Sequence, residues 1–226
     1  MKAVFFDFDG TLTHRRANVW KSIWQMFDYD ISEGSYYRKL FNDFLAGRIS
    51  HQQWCDLTCQ AFKDKGMNID VLNQIASKVT LLNGAKETFE TLKQNGFDLF
   101  VVSGNITDVI EKVLGENVRY FDAIRANDMF FDEEDKLTFI KGTDYDFEGK
   151  AKFILEYKER TNCKAEDLYF VGNGANDKWA HLAGCHTICI NPENADEDDK
   201  NKWHETLLEV DDLRQILPLL GIGKQA

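Results

Sequence analysis

Short apolar runs alternate with helical patterns over most of the chain. The first run, residues 3–6, ends abruptly at two carboxylates and a glycine, which is typical of a buried parallel strand with polar groups at its carboxyl end. Repeated strand–helix units predict an α/β fold with a parallel sheet and right-handed crossovers. The other predicted strands are 97–102, 121–126, 168–171 and His186–Ile190, and the predicted helices are Ala85–Gln94, 106–114, 153–160, 179–183 and 207–220.

Residues 14–83 carry a helical pattern throughout. Trp20, Ile23, Trp24 and Phe27 recur at spacings of three and four residues, which places them on one helix face. We interpret this aromatic stripe as a helix-packing core rather than a cofactor site. The pattern predicts a helical cap over residues 14–83, inserted into a core formed by residues 1–13 and 84–226. Within that core, residues 129–140 predict a hairpin centred on an acidic turn.

The amino-acid composition excludes some classes of function. The 226 residues are 43% hydrophobic, which is ample for a buried core, and carry a net charge of −11, which argues against nucleic acid as a partner. No stretch is long and apolar enough to predict a membrane span, and the first six residues reach Asp7 too soon for a signal peptide. The five cysteines fit a reducing cytoplasm, so we expect a cytoplasmic protein without disulfides.

Asp7 and Asp9 come directly after the first predicted strand. The chain turns at Gly10, so both carboxylates can approach one centre, where their repulsion favours a bound cation or a retained proton. A hard ion such as Mg²⁺ takes oxygen ligands and shares sites with phosphate. A carboxylate can also attack phosphorus to form an acyl phosphate, while its neighbour transfers protons. An acidic turn without catalytic function would explain this short motif equally well.

Polar groups also follow the later predicted strands. Ser103 and Gly104 can offer a hydroxyl and backbone N–H groups to a phosphate, and Lys150 supplies a cation at the start of a helix. Residues 172–177 form a glycine-containing loop with Asn173 and Asp177. Each motif alone is common in turns and surfaces, but ligands of parallel sheets bind beyond the carboxyl ends of the strands, where all of these lie.

The order D-x-D-G-T, strand-end Ser, Lys and then G-x-G-x-N-D resembles the haloacid dehalogenase superfamily, in particular its phosphoserine-phosphatase-like branch with a helical cap of the C1 type. The resemblance covers the chain to about residue 190. It implies a Rossmann-like core and Mg²⁺-dependent hydrolysis of phosphomonoesters. It further implies that Asp7 is nucleophile and metal ligand, that Asp9 is general acid/base and metal ligand through its carbonyl, that Ser103 and Lys150 hold phosphate, and that Asp177 supports the metal.

The sequence departs from this family at two places. The fourth motif normally reads G-D-G-x-N-D, and Asn173 replaces its first acid, which predicts weaker metal binding with either Asn173 or Asp177 as the direct ligand. The Glu that phosphoserine phosphatases place nine residues past the nucleophile is Arg16 here, and their cap Arg falls near Asp56. We therefore expect a substrate other than phosphoserine. His14, Arg15 and Arg16 form a candidate set for binding the leaving group, or else a solvated hinge.

The leading hypothesis is hydrolysis of a small phosphorylated metabolite through an aspartyl phosphate on Asp7, with Mg²⁺ as cofactor. A phosphomutase would use the same nucleophile, and a weakly active or inactive metabolite-binding protein would fit the loss of the acid at Asn173. The natural substrate and the number of subunits stay open at this point.

Overall fold

A seven-stranded sheet forms the centre of the protein, as described by a computed structural model for residues 1–14, 18–192 and 201–223. The strand order is β4-β3-β2-β1-β5-β6-β7, and every neighbouring pair is parallel except β3 and β4. This confirms the predicted α/β fold. The strands are β1 (Lys2–Phe6), β2 (Phe97–Ile106), β3 (Ala123–Phe131), β4 (Leu137–Lys141), β5 (Leu168–Gly172), β6 (His186–Ile190) and β7 (Glu205–Leu207).

β1 lies in the middle of the sheet, paired with β2 on one side and β5 on the other. Its side chains alternate between two cores: Val4 and Phe6 face one, and Ala3 and Phe5 face the other. All four are fully buried. A central strand covered on both faces needs apolar residues at every position, which explains the continuous apolar run in the sequence.

Helices cover the sheet on both faces and extend beyond one end of it. α5 packs in the core that contains Val4 and Phe6, and α7 packs in the core that contains Phe5. The helices are α1 (Val19–Met26), α2 (Tyr36–Leu45), α3 (His51–Lys63), α4 (Ile69–Ala76), α5 (Ala85–Gln94), α6 (Thr107–Leu114) and α7 (Glu148–Thr161), and 3-10 helices span Gly115–Tyr120, Ala165–Asp167, Asp177–Ala183 and Leu213–Leu220.

The four helices α1–α4, called here the helical layer, have well-defined starts. Asn18, Ser35, Ser50 and Asn68 each accept a backbone N–H from the first turn of the following helix. Ser50 and Gln53 form a capping box, in which side chains and backbone N–H groups bond reciprocally. These polar caps stabilise the helix ends and set the boundaries of four short helices within the helical pattern.

A core of its own holds the helical layer together, with Trp24 and Phe62 fully buried inside it. The predicted packing role of the aromatic stripe is confirmed for Ile23 and Trp24. The same core includes Met129, Leu137 and Ile140 of the β3–β4 hairpin, so the hairpin packs against the helical layer. The extent of a separate cap, residues 14–83, stays a prediction.

Three predicted elements differ from those observed. The predicted strand 121–126 and the first arm of the hairpin are one strand, β3, because the chain continues in extended form after pairing with β2. The segment 207–220 is not one helix: it begins at the end of β7, and its helical part is the 3-10 helix Leu213–Leu220. The segment 193–200, with its acidic cluster, lies outside the described residues.

All five cysteines are free, as the sequence predicted. Within the described parts of the chain, no helix is long and apolar enough to cross a lipid bilayer.

Candidate active site

The loop after β1 makes a tight turn that carries Asp7 and Asp9. The carbonyl of Phe8 accepts the backbone N–H groups of Thr11, Leu12 and Thr13, at 3.2, 3.0 and 3.2 Å. Gly10 adopts a φ of +73°, and a Cβ at this position would lie 2.3 Å from the side-chain Nδ2 of Asn173. The positive φ favours glycine at this position, and any side chain here would also push the side chain of Asn173 out of its place.

Lys150 lies at the centre of a buried cluster of carboxylates. Its Nζ donates to Oδ1 of Asp7 at 2.8 Å and to Oδ1 of Asp177, and Oδ1 of Asp146 lies 3.9 Å away. The side chains of Lys150 and Asp177 are fully buried. A buried ammonium is tolerated only when carboxylates compensate the loss of water, and here three carboxylates from different segments do so. Lys150 thereby fixes the orientation of Asp7.

Burial and the neighbouring charges in this cluster shift the pKa values of Asp7 and Lys150. Burial, together with the neighbouring charge of Asp177, raises the pKa of Asp7 to about 7, although Lys150 acts in the opposite direction. Burial also acts to lower the pKa of Lys150, but the carboxylates of Asp177, Asp7 and Asp146 outweigh it and raise that pKa above its ordinary value. The cluster therefore holds a protonated lysine beside a carboxylate whose negative charge is incompletely compensated.

Asp177 organises the loop after β5. Its Oδ2 accepts the backbone N–H groups of Asn173 and Gly174, both at 2.8 Å, and its Oδ1 accepts from Lys150. A Cβ at Gly172 would lie 2.6 Å from Cγ of Asp177, so this close approach requires glycine. Both carboxylate oxygens of Asp177 thus already have donors from the protein.

The oxygen donors nearest to Asp7 are suited to a hard cation. Asp7, Asp9 and Asn173 line one cleft, and Oδ1 of Asn173 lies 3.4 Å from the hydroxyl of Thr11. Among the residues that the structure describes, no group of three or more His, Cys, Asp or Glu side chains is arranged to hold a metal ion. The carboxylates of Asp7 and Asp9 and the amide of Asn173 are oxygen donors of the kind that Mg²⁺ takes, so these residues could hold this ion.

Ser103 and Gly104 lie at the bulged end of β2, next to the first loop. Ser103 is buried and its Oγ accepts the backbone N–H of Asn105 at 3.2 Å. The carbonyl of Gly104 accepts from Nε1 of Trp20 at 2.7 Å, which connects this strand end to α1. A Cβ at Gly104 would lie 2.3 Å from Oδ2 of Asp146, so the missing side chain makes room for this carboxylate.

The structure brings together seven of the residues singled out from the sequence. Asp7, Asp9, Ser103, Gly104 and Asn173 line the same cleft, while Lys150 and Asp177 are hydrogen-bonded to each other, with Lys150 also bonded to Asp7. Their convergence follows from the topology, since β1, β2 and β5 are adjacent parallel strands and their carboxyl ends meet at one edge.

Two candidate positions lie elsewhere. His14 is exposed and lines a separate cavity of about 430 Å³ together with Val19 and Lys78, and its backbone N–H donates to the carbonyl of Thr80. Asp56 is exposed on α3, where it accepts from Gln52. Arg15 and Arg16 lie outside the described residues.

Among the polar cleft residues that sequence reasoning missed, two contact the candidate catalytic groups. Asn105 is buried and donates from Nδ2 to Oδ1 of Asp9 at 2.8 Å, while its own Oδ1 accepts the backbone N–H of Ile106. Nothing in the local sequence distinguishes Asn105 from a turn residue. Asp146 lies just before α7, and its Oδ1 is 3.9 Å from Nζ of Lys150; because this segment is not helical, the sequence contained no signal for the contact.

The central cleft has a volume of about 440 Å³ and lies between the strand ends and the helical layer. Its floor carries the loop carboxylates and the buried Ser103. Its walls from the helical layer include Trp20, Tyr37, Arg38, Phe41, Phe44 and Trp54, so part of the predicted aromatic core faces this cleft rather than the interior.

Comparison with known proteins places this geometry in a family. A sequence profile of the haloacid dehalogenase-like hydrolases matches residues 1–180. A phosphoserine phosphatase of Archaeoglobus fulgidus is 28% identical over 181 residues, which are 78% of this chain and 48% of that protein. The chain thus spans about half the length of this relative. A phosphoserine phosphatase of Methanocaldococcus jannaschii is 24% identical over 230 residues, covering 96% of each chain.

A solved structure has the same fold over nearly the whole length. A substrate-bound phosphoserine phosphatase complex superposes with a TM-score of 0.74 at 24% identity, covering 97% of this chain and 98% of that one. The resemblance to the phosphoserine-phosphatase-like branch, predicted from four short motifs, is confirmed. The chain belongs to the haloacid dehalogenase-like hydrolases.

Proposed function

We propose that this protein is a Mg²⁺-dependent phosphatase that hydrolyses a small phosphomonoester through an aspartyl phosphate on Asp7. The observation that carries the proposal is the buried Asp7 carboxylate, held by Lys150 at 2.8 Å and opening into the same cleft as Asp9 and Ser103. The relatives named phosphoserine phosphatase support a phosphomonoesterase. We further propose a cytoplasmic location, in keeping with the five free thiols.

The proposed reaction has two steps, transfer of the phosphoryl group to Asp7 and hydrolysis of the aspartyl phosphate, and the residues of the cleft take part in both. The Asp7 carboxylate attacks phosphorus, the bond between phosphorus and the ester oxygen breaks, and Asp9 gives its proton to the departing alcohol. Asp9 then takes a proton from water, which attacks the aspartyl phosphate and releases inorganic phosphate and free Asp7. Lys150 and the Ser103 hydroxyl bind the phosphoryl oxygens while negative charge shifts among them.

The carboxylate of Asp7, the carbonyl of Asp9 and the amide of Asn173 are the proposed ligands of Mg²⁺. When bound, the ion would neutralise charge on the phosphoryl group. Asp177 serves in this proposal to orient Lys150 and the loop, because donors from the protein already occupy both of its oxygens.

The experiment that tests the proposal is release of phosphate from a set of phosphomonoesters, measured with and without Mg²⁺. Mg²⁺-dependent release supports a phosphatase. A requirement for a bisphosphate activator would identify a mutase instead, and binding of phosphate esters without turnover would identify a metabolite-binding protein.

Asn173→Asp is expected to lower the apparent dissociation constant for Mg²⁺ about 10-fold, because the number of charged ligands sets affinity for hard cations. The measurement is a calorimetric Mg²⁺ titration together with the Mg²⁺ dependence of turnover. Asn18→Asp is the matched control: it adds the same charge to the same cleft and keeps an acceptor for the N–H of Lys21. Equal Mg²⁺ affinities of Asn173→Asp and the wild type would contradict Asn173 as a ligand.

Asn105→Ala is expected to lower kcat about 10-fold for alkyl phosphates with little change in KM, because Asp9 loses a hydrogen-bond donor that helps to orient its carboxylate. The defect should shrink for 4-nitrophenyl phosphate, whose leaving group needs no proton. An equal loss for both esters would show that Asn105 supports the loop as a whole rather than the position of Asp9.

A further inference from the structure

The aromatic side chains of the central cleft begin next to the residues proposed to bind phosphate. Nε1 of Trp20 donates to the carbonyl of Gly104 at 2.7 Å, one residue after Ser103. The rings therefore border the space into which the ester oxygen of a bound phosphate would lead. Six aromatic side chains line the cleft: Trp20, Tyr37, Phe41, Phe44, Trp54 and Phe147.

These rings form a connected wall. The ring centroids of Trp20 and Trp54 are 4.9 Å apart, those of Trp54 and Phe44 6.3 Å, and those of Phe44 and Phe147 5.5 Å. Phe41 continues the wall at 6.5 Å from Phe44. Each ring of the wall thus has an aromatic neighbour at 4.9 to 6.5 Å, so the wall is continuous.

The wall differs from the core of the helical layer in exposure. Trp24 and Phe62 are fully buried and account for the packing of that layer. Trp20, Phe44 and Phe147 are instead partly exposed at the cleft. Trp54 is nearly buried and also lines the cleft.

Two kinds of ligand group bind to aromatic walls, quaternary ammonium groups and planar rings. The cleft contains charges of both signs, since Asp7, Asp9 and Asp146 line it together with Lys21 and Arg38. Lys21 and Arg38 lie on the same helices as Trp20 and Phe44, and they can donate hydrogen bonds to acceptor atoms of a planar ring. An ammonium group has no acceptor to offer them, so these two residues favour the planar ring.

We propose that the substrate of this enzyme is the phosphate ester of an alcohol with a planar aromatic or heteroaromatic ring, which packs against the wall formed by Trp20, Phe44, Trp54 and Phe147. This inference rests on the proposed phosphatase function and names its substrate class. The cleft volume of about 440 Å³ lies within the range of sites for such molecules, ~300–1,000 Å³. A compact amino acid phosphate would leave most of the wall without a contact.

The test compares two esters that differ in planarity but are similar in size and in the basicity of the departing alcohol, benzyl phosphate and cyclohexylmethyl phosphate. We expect kcat/KM to be about 3- to 10-fold higher for benzyl phosphate. This ratio corresponds to the free energy that one favourable contact between two aromatic rings contributes. Phe44→Leu and Trp54→Leu should bring the ratio close to one. Phe139→Leu is the control, since Phe139 is an exposed ring on β4 that pairs with Phe130 outside the cleft.

Equal kcat/KM values for the two esters, or faster hydrolysis of phosphoserine or phosphocholine than of benzyl phosphate, would overturn the assignment. Binding of the two matching phosphonates, measured by calorimetry, separates this inference from the proposed function. Absence of turnover on every ester would contradict the phosphatase, while tighter binding of benzylphosphonate than of cyclohexylmethylphosphonate would still support the ring site. Equal binding of the phosphonates in the absence of turnover would contradict both.

Discussion

Asp7→Asn is expected to lower kcat for phosphate release by about 10³-fold or more, the scale of loss when a covalent nucleophile is removed. The amide has nearly the shape of the carboxylate but is a poor nucleophile toward phosphorus. Lys150 retains Asp177 as a hydrogen-bond partner in this variant, so the loop after β5 should keep its place. The loss should therefore come from the chemistry rather than from unfolding.

Steady-state phosphate release with saturating Mg²⁺ measures the loss of kcat in the variant. In the wild-type enzyme, mass spectrometry after an acid quench during turnover should detect a phosphoryl group on the peptide that contains Asp7. Asp56→Asn makes the same change at an exposed position outside the cleft and should retain wild-type turnover. If Asp7→Asn kept a tenth or more of the wild-type kcat, Asp7 would not be the nucleophile.

Lys150→Met is expected to lower the free energy of unfolding by ~3–5 kcal/mol, because it removes one partner of a buried ion pair and leaves charge uncompensated. Nζ of Lys150 compensates Asp7 and Asp177 together, and neither carboxylate is accessible to much water. Met fills a similar volume, so the cost of an empty cavity is small beside the electrostatic cost.

Urea denaturation gives the free energies for this comparison. Lys152→Met, on the same helix, removes an exposed lysine whose Nζ lies 3.9 Å from Asp144, and it should cost less than ~1 kcal/mol. The double variant Lys150→Met with Asp7→Asn should lose less stability than the sum of the two single variants, since one uncompensated charge is then absent. Additive losses would show that Lys150 stabilises the fold independently of Asp7.

The residue pattern determined most of the sheet. Residues 3–6 and 168–171 were recognisable as strands because β1 and β5 lie in the middle of the sheet, so all of these residues except the partly buried Tyr169 are apolar and buried. β3 was harder to predict, because this strand lies toward one edge of the sheet and combines a parallel neighbour with an antiparallel one. β7 is three residues long, mostly exposed at the other edge, and carries no apolar run.

The sequence also determined where most residues of the cleft floor lie. The positions of Asp7, Asp9, Ser103 and Asn173 could be predicted because each follows a predicted strand, and parallel strands bring such positions to one edge of the sheet. The selection of Lys150 and the proposed roles of these residues came from the resemblance of the ordered motifs to the haloacid dehalogenase superfamily.

Only the tertiary structure decided how these residues are paired and what surrounds them. Lys150 meets Asp7 across 143 positions of the chain, and Asn105 reaches Asp9 across 96. Local sequence does not encode such contacts, which depend on loop conformation and on the register of neighbouring strands. For the same reason the sequence could not separate the aromatic side chains of the helical layer that fill its core from those, such as Phe44, that face the cleft: both have helical spacing, and only the packing of α1–α3 against the sheet edge distinguishes them.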